Sequence, residues 1–340
     1  MYFYFIGALF FILFLYLGDN VKFKRISNTH VSFINVNKCI WIFWCIYLVL
    51  KIVIWRKVGY ALLTVENTRY INGSDFTVSG VSGISFVIMW MLLMLFPNYY
   101  NKKIKSIIII SFIIFESILN VNRGNIIRIF LYLAFLFLLE RKVSHKVIDK
   151  KTIIMLSITC FLIFLAFSVF GNYRQTSGGN FFSVKLFLNG RVDNDILNWI
   201  YAYTAINFDV LKLYYNVSPL YIPTQIMMPF IRLINNYINI ESYYSYFSNI
   251  GIGGMNASTF LSDTIRDFGM LYFIELIPMA FIIGIISNFG KKKKKFIGIR
   301  AFLFMNISVM IFGNYLFSPS YFFSLIAGIM INLVVKESIY

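Results

Sequence analysis

GMLYFIELIPMAFIIGIISNFGKKKKK, residues 269–295, decides how the rest of the chain is read. From Gly269 to Phe289 the stretch is apolar, with Glu275 as its one ionisable carboxylate or cation, and five lysines follow at once. About 20 apolar residues cross the hydrocarbon core of a bilayer as a helix. Lysine and arginine stay on the cytoplasmic side of such spans. The stretch therefore predicts a span that leaves the membrane at its cytoplasmic face. Lys291–Lys295 reads as a topogenic anchor facing anionic headgroups.

The same pattern recurs outward in both directions. Apolar runs lie at about 2–17, 39–55, 80–96, 106–120, 126–139, 152–170, 269–289, 297–313 and 318–335. The chain is 59% hydrophobic and 13% charged over 340 residues, with mean hydropathy +0.74, more apolar surface than a soluble core of this size needs. The formal charge of +17 would suit nucleic acid, but its placement argues against that partner. Of 31 Lys and Arg, 19 fall in 19–38, 98–105, 140–151, 290–300 and the C-terminal tail, which hold only 4 of the 14 acids. With those loops inside, the N-terminus lies outside and the C-terminus in the cytoplasm. The expected fold is an all-α polytopic membrane protein with 9–11 transmembrane helices.

One segment breaks the rhythm. Residues 171–267 separate an N-terminal six-span region, 1–170, from a C-terminal three-span region, 268–340. By the charge rule this large loop lies outside. Within it, 196–215 and 221–240 are apolar and aromatic but are interrupted by Asp209, Lys212 and Arg232. They read as interfacial or re-entrant helices, with a hairpin of two further spans as the other arrangement. The loop holds six basic and six acidic residues, a balance that contrasts with the cytoplasmic loops. Its four arginines, Arg174, Arg191, Arg232 and Arg266, bring a planar fork suited to phosphate oxygens.

Arg174 stands just beyond the sixth run, Arg123 in the turn between the fourth and fifth, and Arg266 at the mouth of the seventh. All three fall at headgroup depth, where a lipid-linked diphosphate would sit. Asp263, Arg266 and Asp267 have i, i+3, i+4 spacing and share one face of a helix. That face reads either as a salt-bridged cap or as a phosphate-holding arginine beside a carboxylate that polarises a hydroxyl. Asp195, near Arg191, is a second carboxylate for general-base work. Glu116 and Glu275 are carboxylates inside apolar runs, and Glu116 lies two turns before Arg123 as a structural partner. Tyr201 and Tyr203, with Trp199, Tyr214 and Tyr215, offer aromatic faces for sugar rings or for the membrane interface. Cys39, Cys45 and Cys160 lie in or beside apolar runs, and His30 and His145 are cytoplasmic, so no metal-ligand set is expected.

These features resemble the bacterial O-antigen polymerases, the Wzy-type oligosaccharide repeat-unit polymerases. The likeness rests on Arg123-Gly124 opening a span and on Gly171-Asn172-Tyr173-Arg174 at the loop entrance. It rests also on Tyr201-Ala202-Tyr203-Thr204-Ala205-Ile206-Asn207-Phe208, and on Asp267-Phe268-Gly269 leading into a span with a basic turn after it. It covers the chain from about residue 80 and is architectural. It implies a GT-C-like, metal-independent glycosyltransferase with no cofactor, in the cytoplasmic (inner) membrane of a bacterium. A growing glycan leaves its undecaprenyl diphosphate carrier and passes to a hydroxyl of a new lipid-linked repeat unit. Arg174 and Arg266, with Arg123, would neutralise the leaving diphosphate. Asp267, then Asp195, would take the proton. Arg191, Arg232, Tyr201, Tyr203, Asn207 and Asp263 would hold substrate. The partners implied are lipid-linked oligosaccharides, membrane lipids, a flippase and a chain-length regulator. The alternatives are a lipid-linked oligosaccharide flippase or exporter, an O-antigen ligase and a glycan O-acyltransferase. The ligase is disfavoured because the outer segment has no histidine.

Overall fold

The computed structural model describes residues 2–22, 35–60, 63, 76–98, 103–120, 122–143, 150, 154, 157–158, 161, 208, 211–214, 218–219, 221–230, 259–292, 294–310 and 315–335. Among them every regular element is helical, so the all-α expectation holds at that level. In chain order the helices are α1 (Tyr2–Asp19), α2 (Val36–Val58), α3 (Val81–Leu95), α4 (Lys103–Leu119) and α5 (Arg123–Val143). They continue with α6 (Thr224–Met227), α7 (Phe260–Phe268), α8 (Phe273–Lys292), α9 (Ile297–Ser308) and α10 (Pro319–Val334). The apolar runs read from the sequence coincide with these helices, except that 152–170 lies almost wholly outside the described residues.

Only α2, at 23 residues, is long and apolar enough to cross a bilayer by itself among the described helices. Tyr4–Asp19, Val81–Leu95, Phe273–Asn288, Ile297–Ser308 and Pro319–Val334 are apolar but shorter. Apolar side chains cover outward faces as well as cores. Phe5, Leu9, Ile12 and Leu13 of α1, Ile42, Val49 and Ile52 of α2, and Ile326, Met330 and Leu333 of α10 are all exposed.

The chain divides into two compact units. The first comprises Met1–Lys24, Phe182–Phe289 and Asn306–Phe322. Here α1 and α8 meet backbone to backbone. A Cβ on Gly18 would overlap the Phe281 carbonyl, and one on Gly284 would overlap the Leu15 carbonyl. Small residues at a crossing let two helices approach this closely. Asn288 Nδ2 donates to the Val21 carbonyl (2.7 Å) and ties the ends of the pair. Near the other end of α1, Gly7 faces Leu261 and Tyr272, while the rings of Tyr4 and Phe11 pack on Phe260. That contact seats α7 on the α1–α8 pair.

The second unit comprises Arg25–Phe181, Gly290–Met305 and Phe323–Tyr340. Its centre is α3, buried all round from Ile88 to Leu95, as a helix apolar on every face must be in a core. Trp90 packs edge-on against Tyr132 of α5 and Phe302 of α9, and the Tyr132 hydroxyl donates to the Leu93 carbonyl (2.7 Å). Lys51 of α2 meets Glu116 of α4 at 2.6 Å, over the Tyr47 ring. Asn120 also donates to that Glu116 oxygen. The expected contact of Glu116 with Arg123 falls on a side chain outside the described ones; the partner described is Lys51, which the apolar run around it had concealed. Lys295 departs from its reading. It is buried and donates to the Val335 carbonyl (3.3 Å), at the negative end of α10, so it does not face headgroups.

Candidate functional site

The polar centre of the first unit is built on α7. Thr259 opens this nine-residue helix and Gly269 closes it, with φ 56° at the glycine. Such a left-handed terminator suits glycine, which has no Cβ to clash. Within α7 the i, i+3, i+4 set lies on one face, as its spacing predicts. Arg266 Nη1 donates to Asp263 Oδ1 (3.2 Å) and Nε donates to Asp267 Oδ1 (2.9 Å). The helix therefore carries a cation flanked by two carboxylates.

A second chain segment completes the network. Residues 221–230 run alongside α7, and α6 starts behind Pro223. Arg266 Nη2 donates to Thr224 Oγ1 (2.6 Å), and the Thr224 hydroxyl donates to Asp267 (2.6 Å to Oδ2). The Gln225 backbone N–H donates to Asp267 Oδ2 (3.1 Å), while its side-chain amide donates to Asp263 Oδ2. Glu275, in the first turn of α8, accepts the Ile226 N–H (3.1 Å) through Oε1. Its Oε2 is buried and has no hydrogen-bond partner among the described residues. Three carboxylates thus hold the start of α6 in place.

Burial separates the roles open to them. Asp267 is 0% exposed and Arg266 3%, whereas the Asp263 side chain is 26% exposed. Asp267 has its oxygens filled by a guanidinium, a hydroxyl and a backbone N–H. Asp263 is the carboxylate of the cluster that solvent reaches. Burial is the largest influence on it and raises its pKa above the ordinary aspartate value; Arg266 pulls it back in part, and Asp267 pushes it up again.

The other residues expected at the site distribute as follows. Arg174, Asp195, Arg191, Arg232, Tyr201, Tyr203 and Asn207 lie outside the described residues. Arg123 is the first residue of α5, in the second unit, with only its backbone described. Its turn is firmly built: Asn122 Oδ1 accepts the Asn125 N–H (3.1 Å), and Asn125 Nδ2 donates to Ser117 Oγ (2.8 Å). Asp263, Arg266 and Asp267 come together. Thr224 and Gln225 were not anticipated. Pro223 preceding a threonine is a helix-start signal that could have flagged them. Among the described residues no group of three or more His, Cys, Asp or Glu side chains converges to hold a metal ion.

Comparison with protein-family models, curated proteins and solved structures finds no match to this chain. What the described residues define is therefore a class by architecture alone: an all-helical protein with a buried arginine–carboxylate cluster in one of its two units.

Proposed function

We propose that this chain is a multi-span membrane glycosyltransferase that polymerises undecaprenyl-diphosphate-linked oligosaccharide repeat units at the outer face of the cytoplasmic membrane. The observation that carries the reading is the α7 cluster. A guanidinium and two carboxylates are fixed at the head of an apolar helix, with one carboxylate left open to solvent. Apolar side chains on the outward faces of α1, α2 and α10 support placement in a bilayer. So does the lysine asymmetry of the loops.

In this reading Asp263, not the closed-off Asp267, receives the proton of the acceptor hydroxyl. The hydroxyl oxygen forms the new glycosidic bond as the bond between the anomeric carbon and the diphosphate breaks. The diphosphate leaves with the electron pair. Arg266 is a positioning residue, since its fork is engaged by Asp263, Asp267 and Thr224. Stabilising the charge that develops on the departing diphosphate is commonly the largest catalytic contribution in such a transfer. Lipid-linked repeat units are the substrates, with a flippase and a chain-length regulator as working partners.

The test is the surface-glycan ladder of a strain lacking the gene, complemented with wild-type or Asp263→Asn protein. Surface glycan of a single repeat unit in the deletion strain, with the ladder returning only for wild type, supports the polymerase. Complete loss of surface glycan on deletion would point to a flippase. An intact ladder would remove the chain from glycan assembly.

A further inference from the structure

Tyr221 is the only non-glycine residue with positive φ among the described residues, at 59°. Left-handed backbone is disfavoured for residues with a Cβ, and a bulky side chain there is a true outlier. Asparagine or glycine would take the position at less cost. The surroundings over-determine the conformation. The Tyr221 N–H donates to the Asp267 carbonyl (2.7 Å), which roots the residue at the end of α7. Two residues earlier, Pro219 packs over Gly269. Two residues later, Pro223 caps α6, and the Thr224 N–H returns to the Ile222 carbonyl (2.8 Å).

All this fixed backbone supports a ring that touches little: Tyr221 is 65% exposed. A strained residue with its side chain packed inside would be explained by the packing. Here most of the ring lies outside the core, which points to a contact beyond it. Strain retained in this way is a pointer to a ligand contact. Its anchor, Asp267, lies one helical turn from Asp263, about 6 Å along the axis. A flat, rigid aromatic face on a proline-braced backbone suits the C–H face of a pyranose ring.

We propose that Tyr221 is a stacking platform for a sugar ring of the glycan that reacts beside Asp263. The proposal rests on the polymerase reading above. Two variants separate the ring from the strain. Tyr221→Gly removes the ring and relaxes the backbone. Tyr221→Phe keeps the face and the strain and loses only the hydroxyl. The assay uses the purified full-length chain in detergent, with lipid-linked glycan extracted from cells lacking the gene. KM and kcat are read beside the thermal midpoint Tm.

Tyr221→Gly is expected to raise KM about tenfold, the scale of one good aromatic contact. Its kcat should be nearly unchanged, and its Tm equal to wild type or higher. Tyr221→Phe should keep the wild-type KM. A glycine variant with wild-type KM overturns the platform while leaving the polymerase standing. A fall in Tm with KM unchanged overturns it as well, by making the ring structural. No turnover by the wild-type chain on this extract overturns both readings together.

Discussion

Asp263 and Asp267 stand four residues apart on one helix and live in different surroundings. Asp267 is sealed by Thr224, Gln225 and Arg266, while Asp263 keeps a solvent-facing side. The sequence shows that they share a face with Arg266; it cannot show which one water reaches, because that depends on residues 221–230 folding over one end of the set. The difference has a pH signature. Asp263 has its pKa raised by burial, so between the ordinary value and the raised one the folded chain holds a proton that the unfolded chain has released. Stability from this group is complete below the ordinary value and declines as pH rises through the raised one. Asp263→Asn should flatten that part of the Tm profile, measured from about pH 4 to neutrality. Polymer formation by wild type should show its acidic limb above the ordinary aspartate range, following the carboxylate form. A limb at the ordinary value would take the proton-acceptor role away from Asp263. Lys51 and Glu116 give a second residue-level expectation. Glu116 is buried and Lys51 half-buried, so Lys51→Met, which strands the carboxylate, should cost about 3–5 kcal/mol in unfolding experiments, and Glu116→Gln less. Combining the two should recover much of the loss, because a neutral pair carries no desolvation penalty. Additive losses would mean that the 2.6 Å contact contributes no coupling.

At the scale of elements, the long helices were readable because apolar runs of this length are too long for strands. The apolar run at 106–120 becomes α4 and that at 318–335 becomes α10, with boundaries shifted by a few residues. The run at 126–139 grows to α5, taking in Arg123 and Arg141. What stayed hidden was α6. Four residues give no period to detect, and the element exists because three carboxylates from α7 and α8 bind its first turn. Glycine roles were equally invisible, since a glycine looks alike in sequence whether a neighbour touches it or not. Gly284 sits where α1 and α8 meet, and a methyl there would strike the Leu15 carbonyl. At Gly83, within α3, an added methyl would meet no atom within 4 Å. The two should therefore respond to the same change in opposite ways. Gly83→Ala should raise stability by about 1 kcal/mol through helix propensity. Gly284→Ala should lower Tm, because a backbone atom cannot rotate aside as a side chain can. Equal effects would show that the α1–α8 contact is looser than its geometry.

For the whole molecule the governing question is which solvent the outward apolar faces meet. Ile42, Val49 and Ile52 project from α2 without covering neighbours, and Met330 and Leu333 do the same on α10. Contact with water costs about 25 cal/mol for every Å² of such surface, a penalty that a bilayer removes. Helix length pulls the other way. The 16 residues of α10 rise about 24 Å, short of the roughly 30 Å hydrocarbon core. A bilayer can thin locally to meet a short span at modest cost. Apolar length marks the segments as spans and the positive-charge rule gives them a direction, so labelling from one side tests the proposed orientation. With Cys39, Cys45 and Cys160 replaced, single cysteines would be introduced at Ser183 and Ser144. A membrane-impermeant maleimide should label Ser183→Cys in intact cells and Ser144→Cys only after permeabilisation. In the proposed topology the lysines around 140–151 would hold their side in the cytoplasm, while the charge-balanced loop would cross. Labelling in the reverse order would put the α7 cluster on the cytoplasmic side, away from an outer pool of lipid-linked glycan, and the polymerase would lose its substrate.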